Sequence, residues 1–193
     1  MPDAVTMNRA GQSRRDEALI AGWREGLSIV NLRGDPSNAG FRERVQGVIG
    51  IDLPEVGRTN VSARGRVVWV GPDDWFLVGA QEPAVDTVRR LHDALAGIHH
   101  AATDVSGGYT VLHLSGVPVL DVLAHGCPLD LHPRVFGVDA CAGSHFFKAS
   151  VWLWKASAAS EFELLVRRSF RGYVEALLAR CSAECGLVTR KFA

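Results

Sequence analysis

The most constraining feature of this 193-residue chain is an internal repeat. Val30-Asn-Leu-Arg-Gly34 matches Leu112-His-Leu-Ser-Gly116 at an offset of 82 residues, and Val67-Val-Trp-Val70 parallels Ala149-Ser-Val-Trp-Leu153. The loop Gly50-Ile-Asp-Leu-Pro54 returns, with inserted residues, as Gly126-Cys-Pro-Leu-Asp-Leu-His-Pro133. Two copies of this length do not make a solenoid. We therefore predict a duplicated unit, and the alternative is chance similarity between short apolar strands that end in glycine.

Both copies have the same order of predicted elements, which is strand, helix, long loop, β-hairpin, helix. The first copy places them at 27–32, 41–49, 51–65, 66–78 and 84–96, and Gly50 is predicted to be a helix C-cap. The second copy places them at 109–114, 119–124, 127–141 and 146–166, followed by a last helix that Ser169 caps. One copy has too few strands to bury its sheet alone. The sequence therefore predicts an α+β fold of two pseudo-twofold strand–helix–hairpin–helix units with antiparallel sheets and a shared core.

The domain boundaries follow from the same pattern. Residues 1–26 are polar and are predicted to form a flexible N-terminal segment, with one or two helical turns around 16–23. Residues 27–193 are predicted to form a single α+β domain, with halves 27–100 and 101–185.

Charge and hydropathy exclude several classes of protein. Lysine plus arginine equals aspartate plus glutamate, so the basic excess typical of a nucleic-acid partner is missing. The sequence contains neither an apolar run of transmembrane length nor the apolar region of a secretory signal, so we expect no membrane association and a cytoplasmic location. A net charge near zero favours a protein that is part of a complex, because electrostatic repulsion between neighbouring chains is small.

The reactive residue types do not combine into a recognisable catalytic or metal site. The four cysteines, Cys127, Cys141, Cys181 and Cys185, are expected to be free thiols, since paired Cys-x-x-Cys or His-x-x-x-His spacings are missing. His99 and His100 follow a helix end and are expected to be solvated. His125 and Cys127 are close enough in sequence for a base–nucleophile pair, which is the alternative for this segment. We predict that the chain has no catalytic, metal or cofactor-binding residue.

Four residues are candidate partner contacts. Asp130 and His132 lie in the second long loop, where they could bind a partner, although turn-forming hydrogen bonds around Pro128 and Pro133 are the favoured role. Trp152 and Trp154 alternate on one predicted strand and so share a face, and paired exposed tryptophans would anchor an interface.

Several of these segments together resemble the gamma subunit family of heterotetrameric sarcosine oxidase. The resemblance covers about residues 26–180, and its most specific block is 126–133. The other matching segments are Leu32-Arg-Gly-Asp35, Leu53-Pro54, Trp69-Val-Gly-Pro-Asp-Asp-Trp75, Asp104-Val-Ser106, Leu114-Ser-Gly116 and Arg168-Ser-Phe170.

The resemblance implies a non-catalytic accessory subunit of a complex that oxidatively demethylates sarcosine. Its partners would be the large flavin-binding subunits, chiefly the alpha subunit. FAD, FMN, NAD, tetrahydrofolate and zinc would belong to the other subunits. The family is similar in turn to the folate-binding domain of glycine-cleavage aminomethyltransferases, which implies an α+β fold with internal pseudo-symmetry.

This chain departs from the aminomethyltransferases at the position of an aspartate that assists one-carbon transfer. Lys148 and Ala149 fall there, and the sequence between Cys141 and Lys155 contains no carboxylate. The sequence also shows no counterpart of their C-terminal barrel. We therefore expect that this chain has lost the one-carbon-transfer activity. The alternatives are a standalone folate-binding protein of the same superfamily and a small enzyme that uses Cys127.

Overall fold

A computed structural model describes residues 18–79 and 81–192, and these form two β-sheets and four α-helices. The helices are α1 (Ala39–Ile49), α2 (Ala84–Ala94), α3 (Val119–Ala124) and α4 (Arg171–Cys181), with a 3₁₀ turn at Arg168–Phe170. The strands are β1 (Leu19–Arg24), β2 (Ser28–Gly34), β3 (Thr59–Ser62), β4 (Gly65–Gly71), β5 (Asp74–Gly79), β6 (His100–Asp104), β7 (Tyr109–Ser115), β8 (Cys141–Phe146), β9 (Ala149–Lys155), β10 (Glu161–Arg167) and β11 (Leu187–Thr189).

The two sheets repeat one strand order. The first sheet runs β3-β4-β5-β2-β6, and the second runs β8-β9-β10-β7-β1-β11. The pairs that the two sheets share are antiparallel, while β11 joins β1 in parallel. The predicted α+β fold with antiparallel sheets is confirmed, and the matching strand orders are the structural form of the sequence repeat.

Each copy of the repeat gives its leading strand to the other sheet. Strand β1 precedes β2 in the chain but pairs with β7, and β6 precedes β7 but pairs with β2. The registers match as well. Leu32 lies between Trp75 and Ala102, as Leu114 lies between Phe162 and Ala21.

Three apolar clusters hold the layers together. One cluster lies between the first sheet and helices α1 and α2, and another lies between the second sheet and helices α3 and α4. A third cluster joins the two sheets face to face and contains Ile29, Val68, Phe76, Val78, Val111, Cys141, Trp154 and Leu165. The layers therefore follow the order helices, sheet, sheet, helices.

Helix α1 illustrates how local sequence sets these elements. The side chain of Asn38 accepts a hydrogen bond from the Phe41 amide (3.1 Å) and so caps the N-terminus. Gly50 adopts a left-handed conformation (φ 73°) and donates its amide to Gln46, which confirms the predicted C-cap.

The N-terminal prediction is wrong for residues 18–26. Leu19, Ala21 and Trp23 alternate on the buried face of β1, which lies between β7 and β11 in the second sheet. The small residues Ala21 and Gly22 weaken the apolar pattern, and the partner strands lie far away in sequence. Residues 1–17 lie outside the described part of the chain.

The two long loops also contain more structure than predicted. Strand β3 occupies the end of the first loop, and β8 begins at the end of the second, so each predicted hairpin is a three-stranded meander. At the last helix, Ser169 lies in the 3₁₀ turn and α4 begins after Phe170, so the predicted Ser169 cap is wrong.

Candidate functional site

The two sheets meet at a short antiparallel bridge between Arg58 and Ala140. The Cys141 amide donates to the Gly57 carbonyl (2.9 Å), and the Thr59 amide donates to the Asp139 carbonyl (2.8 Å). Arg58 and Ala140 are 82 residues apart, which is the offset of the sequence repeats, and the same offset maps one of these two hydrogen bonds onto the other. The local twofold axis therefore passes through this bridge.

The bridge requires a left-handed backbone on both sides. Gly57 has a φ of 70°, and its counterpart Asp139 has a φ of 60°. Aspartate is among the few residues besides glycine that tolerate this region. The Asp139 carboxylate is held by Arg66, whose Nη1 lies 2.6 Å from Oδ1, so this ion pair stabilises the turn.

Exposed valines lie close in sequence to both bridge residues. Val56 is 74% exposed and its counterpart Val138 is 41% exposed, while Val135 on the same loop is 68% exposed. Val56 and Val138 directly precede Gly57 and Asp139, so each side of the bridge carries one exposed apolar side chain. We call Val56, Val135 and Val138 the valine patch. The offset of 82 would have found the pair Val56 and Val138 in the sequence.

Asp130 and His132 lie on the loop that carries Val135, and both are exposed. The Asp130 carboxylate accepts the His132 amide (3.0 Å), and His132 Nδ1 accepts the Arg134 amide (3.2 Å). The favoured turn-forming role is therefore confirmed for Asp130, and His132 also accepts a backbone amide. The exposure of both side chains leaves them available as contacts.

The two tryptophans of β9 differ from the prediction. Their shared face is covered by the first sheet rather than left open, and Trp154 is 0% exposed, with its indole N–H donating to Glu163 (2.9 Å). Trp154 is therefore a core residue and cannot contact a partner. Trp152 is half-buried, with its ring packed over Gly143 of β8.

Glu163 is the buried charge closest to Trp154. Burial by itself would raise the pKa of its carboxyl, but the facing imidazole of His113, the charge of Arg24 and the Trp154 indole together hold this pKa below its usual value. Arg24 Nη1 lies 3.1 Å from Oε1, and His113 Nδ1 lies 3.8 Å from it. The negative charge of Glu163 is therefore compensated within this cluster, and the cluster joins β1, β7, β9 and β10.

The suspected nucleophile and base do not face one another. His125 Nδ1 donates to the carbonyl of Asp121 (2.8 Å), while the Cys127 thiol is directed at Ser144 Oγ (3.8 Å). Burial raises the pKa of the Cys141 thiol to about 11, so it stays protonated and unreactive at neutral pH. Across residues 18–79 and 81–192, no group of three or more His, Cys, Asp or Glu side chains is arranged to hold a metal ion.

The position expected for a one-carbon-transfer carboxylate also lacks suitable chemistry. Lys148 is exposed next to Phe147 in the turn between β8 and β9, and Ala149 is fully buried under the helices. A cation and a buried methyl group cannot replace a carboxylate that handles a proton. The residues present there do not fit folate chemistry.

The layered fold is similar to that of an aminomethyltransferase. The glycine cleavage aminomethyltransferase T from Bartonella henselae superposes with a TM-score of 0.65 at 12% identity, over 93% of this chain and 50% of that one, which shows the fold alone. The sarcosine oxidase gamma subunit family model matches residues 33–184, so the chain belongs to that family.

Individual relatives agree with this assignment. The sarcosine oxidase gamma subunit of an Arthrobacter species is 29% identical over 84% of both chains. That of Corynebacterium sp. strain P-1 is 34% identical over 73% of this chain and 68% of that one. A chain of the heterotetrameric sarcosine oxidase from Corynebacterium sp. U-96, solved with pyrrole 2-carboxylate, superposes with a TM-score of 0.81 at 27% identity, over 96% of this chain and 95% of that one.

These relatives are subunits of an assembly, so other subunits are the partners that family membership implies. The helices within the described residues are all too short or too polar to cross a membrane.

Proposed function

We propose that this chain is a non-catalytic gamma subunit of a heterotetrameric sarcosine oxidase, an assembly that oxidatively demethylates sarcosine. The observation that carries the proposal is the superposition on a chain of such an assembly over nearly the full length of both. The missing carboxylate at Lys148 and Ala149 and the separation of His125 from Cys127 support a role without chemistry. The flavins, NAD, tetrahydrofolate and zinc of the complex would then lie on other subunits.

The partner in this proposal is the large flavin-binding part of the complex, chiefly its alpha subunit, and the docking surface is the valine patch. Asp130, His132 and the exposed part of Trp152 would contribute to its rim, because interfaces combine an apolar centre with polar surroundings. The four cysteines are unpaired, which supports a cytoplasmic, reducing location.

Coexpression tests the assignment. The chain should copurify with the large subunits in stoichiometric amount, and the chain alone should be colourless, whereas the complex should show flavin absorbance. Recovery of a monomer that binds tetrahydrofolate and ignores the large subunits would favour the standalone folate-binding alternative. Oxidase activity that depends on the Cys127 thiol would favour the small-enzyme alternative.

Substitutions that introduce a charge test the docking surface. Val56→Asp combined with Val138→Asp should weaken capture of the large subunits about tenfold or more, because a carboxylate in a desolvated contact is costly. The thermal midpoint should change little, since both side chains are exposed. Val85→Asp and Val117→Asp, at exposed valines away from the bridge, are the controls and should leave capture unchanged. Equal effects from both pairs would place docking elsewhere.

A further inference from the structure

Two histidines face each other at the end of α2. His92 lies in the last turn of the helix, and His100 is the first residue of β6. His92 Nδ1 and His100 Nε2 are 2.8 Å apart, and the ring centroids are 5.0 Å apart. Nothing in the proposed role of the chain uses this pair.

A hydrogen bond to the backbone fixes the tautomer of His100. His100 Nδ1 lies 2.8 Å from the carbonyl oxygen of Ile98, so Nδ1 must carry the hydrogen that it donates. The lone pair of the neutral ring is then on Nε2, directed at His92. A ring N–H that donates to a backbone carbonyl is the arrangement that orients metal-binding histidines.

Buried leucines and a backbone hydrogen bond fix the backbone around the pair. Leu91 and Leu95, on either side of His92, are 0% exposed, and the Ile98 amide donates to the Leu95 carbonyl (2.9 Å). His92 is exposed, so the proton on its Nδ1 can move to the outer nitrogen Nε2. Both facing nitrogens would then present lone pairs to the space between them.

We propose that His92 and His100 form a two-histidine site for a divalent transition metal ion such as Zn²⁺ or Ni²⁺, with the remaining positions filled by water. Imidazole nitrogens suit these metals. Two nitrogens at about 2.0–2.1 Å from a tetrahedral Zn²⁺ are about 3.3 Å apart, so the two nitrogens need to separate by about half an ångström, and the rings need to tilt so that both lone pairs converge on the ion. Such a metal ion would link the end of α2 to the edge strand of the first sheet.

Calorimetric titration of the full chain with ZnCl₂ tests the site. One ion should bind per chain, and His92→Ala and His100→Ala should each weaken binding about tenfold or more, since each removes a ligand. His99→Ala removes an exposed imidazole next to the pair and should leave the affinity unchanged. Circular dichroism should show native spectra for all three variants.

Cysteines are the competing zinc ligands, so a Cys181→Ser/Cys185→Ser variant completes the set. Unchanged binding in this variant supports the histidine site, whereas loss of binding there would overturn it. Retained affinity in His92→Ala, or absence of binding to the unaltered chain at millimolar zinc, would also overturn the proposal.

Discussion

Trp152 and Trp154 show how much the surroundings of a residue matter beyond its position in a pattern. Alternation along β9 puts both on one face, and the structure agrees with that. The pattern could not show that the first sheet covers the face. Its residues come from β2, β4 and β5, which are distant in sequence.

The two tryptophans should therefore respond differently to truncation. Trp154→Ala removes a fully buried ring and should cost about 3–5 kcal/mol of stability. Trp152→Ala should cost less, roughly 2–3 kcal/mol, because part of its area stays exposed. Urea unfolding followed by circular dichroism measures both, and equal losses would contradict the burial difference.

Glu163 should make stability depend on pH. Its pKa is below the usual value of 4.5, so its stabilising contribution is complete above that pH and is lost as the pH falls through the lowered pKa. Glu163→Gln should lower the free energy of unfolding by about 1.5–3 kcal/mol at pH 7 and should flatten its decline below pH 4.5. Glu161→Gln on the same strand is the control. A decline as steep in Glu163→Gln as in the unaltered chain would show that other carboxyls dominate.

At the scale of elements, the sequence predicted those that carry a clear local signal. Helices α1, α2 and α3, the strands β2 and β7, and the turn between β4 and β5 all lie where apolar periodicity and glycine signals indicate. Strands β1, β3 and β11 are short or polar or contain small residues, and tertiary pairing alone makes them strands. The valine patch could not be predicted as a surface, because it combines loops from both halves.

The repeated glycines illustrate two physical reasons for one sequence pattern. Gly34 leaves room for the Phe41 ring, which would lie 2.3 Å from an added Cβ, whereas Gly116 needs a φ of 114°. The glycine therefore recurs in both copies of the motif, but the structural reason for it differs between them.

Gly34→Ala should destabilise the chain by about 1–3 kcal/mol, because it displaces a fully buried aromatic ring. Gly47→Ala on the exposed face of helix α1 is the matched control. Open space surrounds its Cβ position, so alanine should stabilise the helix by about 0.5–1 kcal/mol. Thermal unfolding of both variants decides the matter, and a gain from Gly34→Ala would refute the packing argument.

At the scale of the whole molecule, the exchange of leading strands ties the two copies together. Each sheet needs a strand from the other copy, and the apolar cluster between the sheets draws on both. We expect the described residues to unfold as one cooperative unit, as a single domain does. The sequence predicted the duplication, but β1 lies in the segment that was predicted to be flexible, so the exchange of strands was not predicted.

Truncation from the N-terminus tests this cooperative unit directly. A chain that starts at residue 27 loses β1, which lies between β7 and β11 and buries Leu19 and Trp23. It also loses the hydrogen bond from the Trp23 indole to Glu175 of α4 (2.7 Å). Without β1, the edge of β7 would be unpaired and part of the second apolar core would be exposed to solvent. This chain should therefore aggregate or unfold without a cooperative transition. The matched control starts at Ala18 and keeps every strand described above. Size-exclusion chromatography and thermal unfolding compare the two, and a chain from residue 27 that stays monomeric with an unchanged thermal midpoint would show that β1 is dispensable.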